Sequence, residues 1–144
     1  MGIRNANIND LSCLCELEKL FLSPFREDQV YYELMENPVG NYLVYEEDGV
    51  IWGFINFWIT FDSATVCQIA VKEEYRNRGI ATLLLEESFR ILKENDVLTY
   101  TLEVRENNLE AYNLYLKLGF KKIVIKEKYY TNGENAIYMV KGMY

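Results

Sequence analysis

No histidine occurs anywhere in the chain, so any proton transfer it carries out must use a carboxylate, a lysine, a tyrosine or a water held by them. Glu103 falls in residues 98–105, whose alternation sets Tyr100, Leu102 and Val104 on one face and Thr101, Glu103 and Arg105 on the other. Glu103 therefore projects from the polar side, where a solvated strand residue beside Arg105 is the plain reading. Tyr115 sits in an apolar stripe with Ala111, Leu114 and Leu118, which by spacing alone is helix core. The candidate that the residues themselves offer is a stretch rather than a single side chain. Residues 69–85, IAVKEEYRNRGIATLLL, run from an apolar segment (Ile69, Ala70, Val71) through a charged turn into Gly79 and then a leucine-rich helix. A helix entered this way leaves its first backbone N–H groups without intrahelical partners, and these favour an anion such as a phosphate. Arg76 and Arg78 add positive charge, and Gly79 and Ala81 leave room for close approach. An ordinary strand-to-helix connection with a glycine at the bend has the same outline.

The elements that must position these groups follow from hydrophobic period and turn residues. Residues 3–5 suit a short edge strand, and Asn9 or Asp10 can cap a helix carrying Leu11, Leu14, Leu17, Leu20 and Phe21. A second amphipathic helix covers 28–35 between Ser23-Pro24 and Asn37-Pro38. Residues 42–45 and 50–60 form a hairpin through Glu46, Glu47, Asp48 and Gly49, and a further strand covers 64–71. A helix over 80–94 precedes the strand that carries Glu103. Another helix follows, capped by Asn107 or Asn108, with Glu110 placed for a capping box on Asn107 and Gly119 just past its end. Strands over 120–126 and 136–140 close the pattern around a polar loop containing Tyr129, Tyr130, Asn132 and Gly133. The whole length, 1–144, reads as one domain.

Composition excludes several classes. The first 50 residues hold ten acids and three bases, while residues 51–144 hold twelve of each, so the net charge of −7 lies in the first third. Nucleic-acid binding needs a basic face and is not expected. The acidic segment suits a cationic partner or is simply a solvated surface. The longest apolar stretch, 50–61, is broken by Gly53, Asn56 and Thr60 and is too short to span a bilayer. The start carries no apolar signal core, and Ala6 stands where a myristoylation site needs Ser or Thr, which points to the cytoplasm. Cys13, Cys15 and Cys67, with no histidine, make neither a disulfide framework nor a metal site.

The order of elements, the IAVKEEYRNRGIA turn (69–81), LEVRENN (102–108) and NLYLKLGF (113–120) resemble the GNAT acetyltransferase superfamily over essentially the whole chain. SPF (23–25), LEVRENN and the KYYTNGENAIYM tail (128–139) are similar, more narrowly, to RimI-type ribosomal-protein-alanine N-acetyltransferases. The resemblance implies an α/β (α+β) GNAT fold: a mixed, mostly antiparallel sheet splayed between its fourth and fifth strands, with about four helices and acetyl-CoA in the opening. It implies that Arg76, Asn77, Arg78, Gly79, Ile80, Ala81 and Thr82 surround the pyrophosphate. Ile69, Ala70 and Val71 would bind the pantetheine arm as an added strand, and Asn108, also readable as a plain N-cap, would contact the cofactor. Glu103 would be the base and Tyr115 the acid in direct transfer, with no metal. Tyr129, Tyr130 and Glu134 would flank the acceptor, the basic N-terminal peptide of a ribosomal protein beginning with alanine, and the enzyme would be a monomer or weak dimer. Gln68, Cys67 and Glu73 depart from the RimI-like pattern beside the splay. A GNAT enzyme for a small amine such as a polyamine or antibiotic, or a non-catalytic acyl-CoA-binding module, are the alternative expectations.

Overall fold

The computed structural model describes residues 2–144. Seven strands form one sheet in the order β1-β2-β3-β4-β5-β7-β6: β1 (Gly2–Asn5), β2 (Gly40–Glu47), β3 (Val50–Thr60), β4 (Ser63–Val71), β5 (Thr99–Arg105), β6 (Lys121–Lys126) and β7 (Ala136–Gly142). Neighbours β1 to β4 pair antiparallel, as do β5 with β7 and β7 with β6. The β2–β3 turn is tighter than the sequence suggests. Only Asp48 and Gly49 lie between the strands, at φ 51° and 78°, which is the positive-φ pair that matches strand twist in a two-residue hairpin.

The two antiparallel halves meet at a single parallel seam. β4 and β5 pair only at Ser63↔Thr99, Ala64↔Tyr100 and Thr65↔Thr101. Past Thr65 the strands diverge, while β4 stays on β3 as far as Val71 and β5 stays on β7 as far as Arg105. The sheet is thus mixed and opens between its fourth and fifth strands, as the resemblance implies. A bulge accompanies the opening: Asn56 faces Gln68 and Phe57 faces Val66, so Cys67 is the extra residue. The bulge resets the side-chain alternation of β4. Val66 packs in the core on one face of the sheet, whereas Gln68 reaches Glu18 on the other.

Helices α1 (Leu11–Leu17) and α2 (Glu27–Met35) cover one face. Leu14, Leu17 and Val30 bury there against Tyr42, Val44, Ile51 and Phe54. Helix α3 (Ile80–Glu94) covers the other face with Ile80, Leu84, Leu85, Ser88 and Leu92. Full burial of each such leucine contributes about 1.5–3 kcal/mol. Its one buried hydroxyl is satisfied: Ser88 Oγ donates to Leu85 O and accepts from Tyr100 Oη. Helix α4 (Leu109–Lys117) turns Tyr115 into the same core, its ring edge-on to Phe120 at 5.9 Å.

One helix start differs from the sequence reading, and a second decides between its two candidate caps. Asn7 caps a 3₁₀ turn over Ile8–Asp10, accepting from Asn9 N, and Asp10 accepts from Asn7 N, so neither Asn9 nor Asp10 caps α1 through its side chain. For α4, Asn108 is the cap, accepting from Ala111 N at 3.2 Å. The Asn107–Glu110 box does not form the helix start, because the chain enters the helix one residue later than that spacing assumes.

Candidate active site

The opening between β4 and β5 is a cavity of about 900 Å³. Its floor comes from both strand edges, including Val66 to Val71 and Leu102 to Arg105. One end is the turn before α3. The other is walled by the α1–α2 connection and by Tyr129, Tyr130 and Thr131.

At the turn end, the chain passes through a 3₁₀ turn (Glu73–Tyr75) and reaches Gly79 at φ 77°. Asn77 is also left-handed, at φ 64°. Gly79 begins α3 without a side-chain cap, so the first N–H groups of the helix face the cavity with no intrahelical acceptor. A Cβ at Gly79 would meet no protein atom within 4 Å; the glycine answers to its φ, and the space over it is open. Arg76 Nε donates to Val71 O at 3.0 Å and ties the turn to the end of β4. Uncapped donors, a positive helix end and open space fit an anionic phosphate.

Ile69, Ala70, Val71, Arg76, Asn77, Gly79, Ile80, Ala81, Thr82 and Asn108 all line the cavity. Arg78 does not. Its guanidinium lies over Trp52 at 5.2 Å and Tyr75 at 5.5 Å, and those two rings stack in parallel at 4.3 Å. Sequence reasoning missed this stack because Trp52 comes from β3, two strands earlier in the chain.

Glu103 and Tyr115 reach the cavity from β5 and α4. Tyr115 is 7% exposed, and burial holds its phenol well above the usual tyrosine range, so it keeps its proton at neutral pH. Glu103 accepts from Lys126 Nζ at 2.5 Å. Lys126 also sits over Tyr138 at 4.8 Å and Tyr129 at 5.4 Å, and its hydrogen bond to Glu103 raises its pKa. The carboxylate is therefore anchored, which a lone polar-side glutamate would not be. Tyr130 is pushed up to about 12, first by burial and then by Tyr129 and Glu103. Glu134 lies outside the cavity lining. It holds Arg105 in a two-pronged ion pair at 2.6 and 2.9 Å, bracing the tail loop against β5.

At the end away from the α3 turn, Glu18 Oε1 accepts from Phe25 N at 2.7 Å and Gln68 Nε2 at 3.0 Å. This pins the α1–α2 connection to the bulged strand. Gln68 Oε1 is buried without a protein partner among the described residues. Cys67 lines the cavity, but burial pushes its thiol up to about 12. A thiol so held is a poor nucleophile, which favours direct transfer over a cysteine-bound intermediate.

These features define a class: an open cleft in a splayed sheet, with an uncapped helix start at one end and Glu103 and Tyr115 in its lining. The chain belongs to the Acetyltransferase (GNAT) family, whose pattern it matches over residues 8–120. It is an acetyl-CoA-dependent N-acetyltransferase. A Bacillus subtilis (strain 168) protein provisionally named a ribosomal protein bS18-alanine N-acetyltransferase is 40% identical over 140 residues, covering 96% of this chain and 93% of that one. An N-alpha-acetyltransferase of Sulfurisphaera tokodaii is 35% identical, covering 95% and 90%. The crystal structure of the ribosomal-protein-S18-alanine N-acetyltransferase from Escherichia coli superposes with a TM-score of 0.89 at 29% identity, covering 98% of this chain and 92% of that one. Among the described residues, no helix is long and apolar enough to cross a membrane and no cluster of side chains has the make-up of a metal site.

Proposed function

We propose that the 144-residue chain acts as one cytoplasmic acetyltransferase domain that acetylates the N-terminal α-amine of a basic ribosomal protein beginning with alanine. The observation that carries the proposal is the cleft itself, where a base candidate on β5 and an acid candidate on α4 line one cavity that ends at an uncapped helix start. The relatives support the choice of acceptor, since the Bacillus subtilis and Escherichia coli proteins carry ribosomal protein alanine in their names.

Each group has one task. The N–H groups of Gly79 to Thr82, with Arg76 and Asn77, receive the pyrophosphate, and Asn108 contacts the cofactor from the start of α4. The edge of β4 from Ile69 to Val71 receives the pantetheine arm, and the backbone N–H of Val71 stabilises the developing oxyanion. Arg78 contributes by bracing the turn through Trp52 and Tyr75. Glu103 takes the amine proton through a water. An α-amine with a pKa of about 7.7–8.0 is roughly a tenth neutral at pH 7, whereas a lysine near 10.4 is neutral only to some hundredths of a percent; the difference is worth about 3.5 kcal/mol. A modest base is therefore sufficient for an α-amine. Tyr115 donates its proton toward the departing sulfur. Tyr129 and Tyr130 wall the acceptor, while Glu134 supports them through Arg105.

The test is acetyl-CoA turnover, with mass readout, on a basic alanine-starting peptide, its N-terminally blocked twin and a polyamine. Transfer to the free peptide alone is expected. Transfer to the polyamine alone would move the activity to small amines, and transfer to none would overturn both acceptor readings.

A further inference from the structure

A second cavity, of about 310 Å³, lies between α2 and β3, lined by Phe25, Asp28, Gln29, Tyr32, Glu33 and Trp58. Phe25 is also a wall of the main cleft, so the two recesses adjoin at the acceptor end. Glu33 is nine-tenths buried there, at 9% exposure. Its carboxylate accepts from Trp58 Nε1 at 2.7 Å, Asn56 Nδ2 at 3.2 Å and Asn37 Nδ2 at 3.1 and 3.2 Å. All of these donors are neutral, and among the described residues no lysine or arginine pairs with Glu33. A buried carboxylate is ordinarily matched by a cation. Asp28, at the rim, has its own partner in Arg26 at 3.1 Å, which leaves Glu33 as the carboxylate of this cavity without a cationic partner among the described residues. Besides Gln29, the lining is completed by Phe25, Tyr32 and Trp58, whose π systems attract a cation. No basic residue lines the cavity. The surrounding first third of the chain carries the whole net charge of −7.

We infer that this cavity is a subsite for one basic side chain of the acceptor polypeptide, a guanidinium or ammonium group a short distance along the chain from the amine that is acetylated. The inference rests on the peptide reading above. It adds that acceptors are selected by a charge at one fixed position, not by overall basicity, because an extended peptide advances a set distance per residue from the reaction centre to Phe25 and beyond.

The experiment uses the full chain and short alanine-starting peptides carrying one arginine at successive positions, each beside a twin with the neutral isostere citrulline. At one position arginine is expected to lower KM about tenfold relative to citrulline, with kcat little affected. Glu33→Gln is expected to bring the arginine-to-citrulline ratio at that position close to one. Because Glu33 is buried, Tyr32→Ala at the exposed rim supplies a second variant, expected to reduce the same ratio several-fold. A ratio near one at every position in the wild type, or a ratio unmoved by both variants, would overturn the subsite while leaving α-amine acetylation standing. Turnover of the polyamine with no turnover of any peptide would overturn the peptide reading and the subsite together.

Discussion

Tyr115 could not be separated from core by its sequence spacing, and the structure makes it both: a ring packed on Phe120 and a hydroxyl-bearing side chain at the cavity wall. Tyr115→Phe should leave the fold intact and reduce kcat about a hundredfold. The raised phenol pKa fixes the sign of the pH effect. A group that must stay protonated and whose pKa is elevated by burial keeps its proton further into alkaline solution, so kcat should show no Tyr115-dependent decline up to about pH 10. Glu103→Gln should lower kcat by about 10²–10⁴ with the KM for acetyl-CoA little changed. Full activity in either variant would remove that residue from the reaction. The face on which Glu103 projects was legible from the alternation of residues 98–105. Its anchor was not, because Lys126 lies 23 residues further on and meets it only when β6 and β5 flank β7.

At the scale of elements, the turn into α3 was the most legible part of the chain, since a strand, a glycine and an apolar helix in that order leave few ways to fold. Gly79→Ala separates its two demands. The left-handed φ costs about 1–2 kcal/mol for a residue with a Cβ, so a fall in Tm of a few degrees is expected. The Cβ would meet no protein atom, so the folded turn persists while the KM for acetyl-CoA rises at least tenfold. An unchanged KM would place the pyrophosphate elsewhere. The β4 bulge at Cys67 was not legible. Its flanking residues read as ordinary alternation, and only the registers of Asn56 and Phe57 on the neighbouring strand reveal the extra residue. Of the helix caps, the one before α1 was not legible, since Asn7 accepts there through its side chain in place of Asn9 or Asp10, whereas Asn108, one of two candidates before α4, is the cap observed.

For the molecule as a whole, the strand count was legible from hydrophobic period and turn residues and the place of the splay through the family resemblance, while the ties that hold distant segments together were not. Arg4 is one such tie. It grips Asp10 with two nitrogens at 2.8 and 2.9 Å and Glu46 with a third at 2.7 Å, joining β1, the turn before α1 and β2. The hydrogen bonds from Arg4 hold the Asp10 carboxyl below its ordinary range. The unfolded chain therefore takes up this proton first. The stabilisation is complete above about pH 4 and is lost as the pH falls through the depressed folded value. Asp10→Asn should lower Tm by several degrees at neutral pH, and the gap to wild type should narrow in strong acid; a gap independent of pH would show that the charge contributes nothing.

The chain has two tryptophans, and β3 carries both, one near each end of the working surface. Trp52 stacks on Tyr75 under Arg78 beside the α3 turn, and Trp58 donates to Glu33 in the α2 cavity. The two tryptophan fluorophores, which can be excited apart from the tyrosines, thus have separate addresses. With Trp58 replaced by Phe, the remaining emission should follow loading of the nucleotide end. With Trp52 replaced, it should follow arrival of a cationic side chain, so the order in which the two substrates bind can be read optically without a label.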